Sequence, residues 1–143
     1  MDPARHLRTG GNRLSIEVGL KGRDETVVCE SNTAAAVGSG MVPVFATPFM
    51  IALMEGAAAK TVLPHIGEDE GTVGTHLNVS HSAATPIGMK VWAEATVTAV
   101  EGKKITFNVA AYDEAGEIGR GTHERFIIKP EKFLAKVQAK LNS

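Results

Sequence analysis

Leu14, Ile16, Val18 and Leu20 alternate with Ser15, Glu17, Gly19 and Lys21. This period of two predicts a half-buried strand. A turn is expected at Gly22–Asp24, then a second short strand over Glu25–Glu30 built on Val27 and Val28. Ser31–Ala46, with Gly38, Gly40 and Pro43, reads as loop. The period then changes. Thr47-Pro48 predicts a helix start, with a hydroxyl residue at the N-cap and proline at the first helical position. Phe49–Leu63 continue it until Pro64 and Gly67. The helix is apolar nearly all round, so it must be buried and central. An acidic loop follows at His65–Glu70. Thr72–Ser82 and Met89–Val100 alternate again, the latter with Val91, Ala93, Ala95, Val97 and Ala99 on one face. Glu101-Gly102-Lys103 fits a hairpin turn, and Ile105, Phe107, Val109 and Ala111 alternate on the return. A last strand spans Ile118–Ile128, and Pro130 opens a terminal helix with an apolar stripe of Phe133, Leu134, Val137 and Leu141.

Two strands, a buried helix and a run of hairpin-linked strands define an α+β chain with an antiparallel sheet. A sheet wrapped around one apolar helix is the simplest way to bury that helix. Its edges and outer face stay poorly covered, so a homodimer is expected.

The chain has 143 residues, the size of one domain spanning 1–143, with Met1–Asn12 polar and expected to be flexible. Hydrophobic residues make up 43% and charged residues 22%, which is ordinary globular composition. Fifteen basic and 16 acidic residues leave a net charge of −1 with no dense basic run, which argues against nucleic acid as a partner. The start lacks the apolar core of a secretory signal. No apolar stretch approaches the roughly 20 residues that span a bilayer. A cytoplasmic protein without a membrane partner is the expectation. The single cysteine, Cys29, excludes an internal disulfide and a multi-cysteine zinc site, and following two valines it reads as buried and structural.

Four residues break the pattern. Glu55 lies in the most apolar helix, where a carboxylate needs a partner or a shifted pKa. It either lies on a narrow exposed stripe near Lys60, accepts bonds from a loop, or is catalytic. His81 shares a strand face with Leu77 and Val79 and points inward, as a structural or a catalytic group; His76 points away. The two lie on opposite strand faces with no completing ligand set, so no metal is expected. Thr47 reads as a helix cap, beside free N–H groups that suit an anion or developing oxyanion. Arg125 shares a face with Gly119, Gly121 and His123; it clamps a ligand's acidic group or pairs with glutamate neighbours. His123, His65 and His6 read only as surface histidines.

Several separated segments are similar to one known family. Val44-Phe45-Ala46-Thr47-Pro48-Phe49-Met50-Ile51-Ala52-Leu53-Met54-Glu55, Gly74-Thr75, His81-Ser82-Ala83-Ala84-Thr85-Pro86, Gly121-Thr122-His123-Glu124-Arg125 and Glu131-Lys132-Phe133 resemble, in register, the fluoroacetyl-CoA thioesterases. These are hotdog-fold acyl-CoA thioesterases. The resemblance covers about Val44 to Lys140 and is loose before that.

The resemblance implies a hotdog fold, an antiparallel sheet around a long central helix with a C-terminal helix, paired as a dimer. It implies hydrolysis of a short-chain acyl-CoA, fluoroacetyl-CoA-like or not, with no cofactor beyond the CoA of the substrate. Its catalytic positions fall on Thr47, Glu55 and His81, and its substrate-binding positions on Gly74 and Arg125, with Met41 as a pocket residue. Pro48 departs from the family's glycine and removes one backbone N–H as an oxyanion donor. Eight helical residues separate Thr47 from Glu55, about 12 Å of rise and about 80° of rotation. Either His81 bridges them or one member comes from a partner subunit. Two other readings share the scaffold: an enoyl-CoA hydratase, whose aspartate near the helix start is absent, and a non-catalytic acyl-CoA binding module.

Overall fold

The structure, a computed structural model, describes residues 16–142. Met1–Asn12 and His6, read above as flexible and as surface, lie outside the described residues. In chain order the elements are β1 (Lys21–Val27), α1 (Ala34–Val37), α2 (Thr47–Val62), β2 (Gly71–His81), β3 (Lys90–Glu101), β4 (Lys104–Asp113), β5 (Gly116–Ile128) and α3 (Pro130–Gln138). The strands form one antiparallel sheet in the order β1-β3-β4-β5-β2. Helix α2 lies across one face, mainly over β1 and β3.

The hairpin run is where the alternation placed it. Val91, Ala93, Ala95 and Val97 of β3 face Ile105, Phe107, Val109 and Ala111 of β4, all at 3% exposure or less. Gly102 turns this hairpin at φ +64°. Against that apolar face α2 buries Met50, Leu53, Met54, Ala57, Ala58 and Val62. Each large side chain removed from water contributes about 1.5–3 kcal/mol.

The amino-terminal reading needs correction. Of the strand expected at Leu14–Leu20, residues 14–15 lie outside the described residues and residues 16–20 form a connection with a turn, Gly19 standing at φ +96°. The strand is β1, and it runs straight through the turn expected at Gly22–Asp24. Gly22 serves a different purpose: a Cβ there would collide with the Thr61 side chain of α2, so glycine lets the strand pass beneath the helix. Because β1 ends at Val27, Cys29 falls in the connection and is exposed, not buried. The loop expected at Ser31–Ala46 contains a short 3-10 turn at Glu30–Asn32 and the single turn of α1.

A second correction concerns α2. It is covered on one side only within this chain. Thr47, Pro48, Phe49 and Ala52 are exposed on the other, and Glu55 is half-buried there. The carboxy-terminal stripe is likewise open, with Phe133, Leu134 and Val137 of α3 and Leu141 of the 3-10 turn at Ala139–Asn142 between 37% and 81% exposed. Strand β2 is an outer strand, and among the described residues only β5 pairs with it along its length.

Candidate active site

Two clusters of polar side chains sit between α2 and the β2 side of the sheet. The first lies at the start of the helix. Thr47 is its first residue, and the cap position belongs to Ala46, whose carbonyl accepts from the N–H groups of Phe49 and Met50. The capping role read for Thr47 is therefore not the one it plays. Its Oγ1 lies 2.7 Å from His81 Nδ1.

Glycine makes this approach close. His81, Gly119, Ala111 and Ala93 form one inward row across four strands. A Cβ on Gly119 would stand 2.5 Å from the Ser80 carbonyl and 2.7 Å from the Met50 sulfur. Its absence lets Met50 and the first turn of α2 settle onto the sheet beside His81. Burial pushes the His81 imidazole below the usual histidine value, opposed by the Ala83 backbone. Among the described residues its buried Nε2 has no hydrogen-bond partner. Beside the pair is a shallow hollow lined by Ala34, Val44, Phe45, Ser82, Ala83 and Ala84.

The second cluster lies two turns along α2. Glu55 Oε2 is 3.5 Å from Arg125 Nη1, with the guanidinium 8% and the carboxylate 37% exposed at the side chain. Glu55 thus has an ion-pair partner on β5, while Lys60 pairs with Asp24 instead. Arg125 is held on three sides. Its Nε donates to Thr72 Oγ1 at 2.9 Å, its Nη2 to the Thr72 carbonyl at 3.0 Å, and its Nη1 to His123 Nε2 at 3.2 Å. Burial pulls its pKa down, and Glu55 pulls it back up. Gly74 closes the group: a Cβ there would run into Glu55 Oε2 and stand 3.1 Å from His123 Cε1. The β2–β5 register shifts between Gly74 and His76.

His123 is the residue the sequence reading missed. It is fully buried, not on the surface, and stacks 5.9 Å from Phe107. The usable signal was its face: it alternates with Arg125 on β5, and Phe107 and Leu77 are its cross-strand neighbours. Burial lowers its pKa, and the Arg125 charge adds to that; the His76 carbonyl, Glu55 and Glu124 oppose it. Met41 is 95% exposed in the loop after α1 and is not among the residues lining the hollow by Thr47. Among the described residues no group of three or more His, Cys, Asp or Glu side chains is placed to hold a metal ion.

The structure therefore brings Thr47 to His81, and Glu55 to Arg125, His123 and Gly74. It does not bring the two groups together within one chain. Seven strand residues separate His81 from Gly74, about 23 Å along β2.

A five-stranded antiparallel sheet with a long central helix against it and a C-terminal helix is the hotdog fold of thioesterases. The family model described as fluoroacetyl-CoA-specific thioesterase matches residues 28–131. The chain belongs to that family, and is a thioester hydrolase acting on acyl-CoA. It is similar to the fluoroacetyl-CoA thioesterase of Streptantibioticus cattleyicolor, 47% identical over 97 residues that cover 68% of this chain and 70% of the relative. A solved structure of the fluoroacetyl-CoA thioesterase FlK superposes with a TM-score of 0.84 at 39% identity, covering 88% of this chain and 98% of the other. A crystal structure of a mutant of that enzyme with fluoroacetate and CoA matches at a TM-score of 0.78 and 38% identity, covering 82% and 99%.

Proposed function

We propose that this chain hydrolyses short-chain acyl-CoA thioesters to the free acid and CoA, as a single hotdog domain that works as a homodimer. The observation that carries the reading is the 2.7 Å contact between Thr47 Oγ1 and His81 Nδ1 beside a small hollow. Hydrolysis needs a nucleophile, a proton acceptor and stabilisation of charge on the carbonyl oxygen. The Thr47 hydroxyl, or a water it holds, attacks the thioester carbonyl carbon. His81 Nδ1 takes the proton from the attacking oxygen. The C–S bond then breaks, and His81 returns the proton to the departing sulfur. Where Thr47 itself attacked, a water repeats the cycle on the acyl ester. Gly74 of the partner subunit and Arg125 of the partner subunit bind substrate near the carbonyl, the backbone N–H of the partner's Gly74 serving as the oxyanion donor. The small residues Ala34, Ala83 and Ala84 favour a short acyl group, as does the fluoroacetate and CoA complex of the related enzyme.

Glu55 completes the site from the second subunit. A base acting through Nδ1 carries its other proton on Nε2, and that buried nitrogen needs an acceptor. The chain's own Glu55 lies with Gly74, far down β2. An antiparallel pairing of two β2 edges, centred between His76 and Asn78, sets His81 over the Gly74 region of the other copy. Glu55 of the partner subunit then faces Nε2. The same pairing covers the open side of α2 and removes an edge strand. No described helix is long and apolar enough to cross a membrane. A cytoplasmic setting belongs to the same proposal, because CoA thioesters are its substrates.

The test is release of free thiol from acetyl-, fluoroacetyl-, butyryl- and octanoyl-CoA, with hydration of crotonyl-CoA followed alongside. Thiol release from the two-carbon and four-carbon thioesters exceeding that from octanoyl-CoA is expected. Hydration without thiol release overturns the reading, and so does thermal stabilisation by the thioesters without turnover.

A further inference from the structure

We infer that His123 is a positioning residue for this reaction: as a neutral imidazole protonated at Nδ1, it accepts a hydrogen bond from Arg125 at Nε2 and so fixes the guanidinium that holds Glu55. The inference rests on the reading above that Glu55 takes part in the chemistry.

The tautomer follows from the partners. Arginine only donates, so Nε2, 3.2 Å from Arg125 Nη1, is the accepting nitrogen. The proton is then on Nδ1, which donates to the His76 carbonyl at 2.8 Å. Both ring nitrogens are used, and the ring is locked by stacking on Phe107 with no surface exposed. A protonated ring would present a donor to the guanidinium and lose this bond. Nε and Nη2 of Arg125 each donate to Thr72 on β2. Nη1 is therefore shared between His123 and Glu55, and the angle at which it meets the carboxylate depends on the imidazole behind it. Gly74 leaves no alternative support, since the space a side chain would fill there is occupied by Glu55 itself. The His76 carbonyl lies on the outer strand β2, just past the register shift beside Gly74. One buried ring thus ties the shape of that edge to the orientation of Arg125.

The experiment compares His123→Gln, His123→Asn and Glu55→Gln in thiol-release kinetics. Glutamine keeps an acceptor at the depth of Nε2, whereas asparagine keeps only a donor at the depth of Nδ1. His123→Asn is expected to lower kcat about 10-fold to 100-fold, the loss of one hydrogen bond to a charged group. KM should change much less, and glutamine should recover most of the lost kcat. Asparagine and glutamine variants with equal kcat overturn the positioning role while Glu55→Gln remains impaired. Glu55→Gln with full kcat instead overturns the underlying reading of Glu55. Nitrogen-15 correlation spectra of the wild-type protein give a readout that needs no activity. The ring assigned by its loss in His123→Gln should be protonated at Nδ1 and bare at Nε2; protonation at Nε2 overturns the inference.

Discussion

His81 stays neutral to a lower pH than a free imidazole because its ring is partly removed from water, and the charged form suffers most from that removal. A base must be unprotonated to work. The acid limb of kcat/KM should follow His81, drawn down from the ordinary histidine value of 6.5 by burial and back up by the Glu55 carboxylate proposed to face Nε2. His81→Ala should lose about 10²-fold or more in kcat and should also lose that limb; an unchanged limb in the variant would assign it to another group. Thr47 is tested by a pair of substitutions. Serine keeps the hydroxyl that meets Nδ1 and should keep most of kcat. Alanine should lower kcat about 10²-fold or more. Because the cap residue is Ala46, alanine at 47 should leave thermal stability nearly unchanged, which separates chemistry from folding. At this scale the sequence marked the unusual residues by contrast: a carboxylate in an apolar helix, an inward histidine, an arginine beside glycines. It gave no such contrast for His123, whose burial depends on which strands flank β5.

The helix and strands position these groups through small residues. Gly119 and Gly121 sit on the inward face of β5 opposite β2, and Cβ atoms on either would meet the β2 backbone. Gly119→Ala must push against both the Ser80 carbonyl and Met50, and only Met50 is a flexible side chain. Overpacking of this kind costs about 1–3 kcal/mol. A fall in Tm of several degrees is expected by calorimetry, along with a lower kcat as the first turn of α2 lifts from His81. A variant with wild-type Tm would show that the sheet accommodates the methyl group freely. The elements from α2 to α3 were legible because alternation over ten or more residues is a strong signal. The amino-terminal strand was misread because β1 is exposed along most of its length and carries little apolar contrast. A glycine required for close packing, Gly22, looked like a glycine required for a turn.

For the whole molecule, the proposed arrangement across two subunits makes a prediction that no single chain can satisfy. Thr47→Ala and Glu55→Gln homodimers should each be nearly inactive. After random subunit exchange half the dimers are hybrids, each with one intact site. Activity should then return to about a quarter of the wild-type rate. No recovery after verified exchange would place all three residues in one chain's site. Stability carries its own pH signature. The folded pKa of His123 lies below the unfolded value, chiefly from burial. Between that unfolded value near 6.5 and the lower folded value, the unfolded chain binds more protons. Stability is therefore full above pH 6.5 and falls as pH drops through this window. Thermal melts from pH 7.5 to 5 should show the decline, and His123→Gln should make it shallower.

The order of polar and apolar residues by itself determined the antiparallel hairpins, the apolar central helix, and which side chains were out of place in their surroundings. Those are local properties, set by a repeat of two or 3.6 residues and by the cost of burying charge. Tertiary structure alone decided that Thr47 meets His81 while Glu55 meets Arg125, and that His123 is buried with both ring nitrogens engaged. Those contacts join residues tens of positions apart. Strand order, register and the missing Cβ atoms that let α2 approach the sheet set their distances, and none of these is written in a local period.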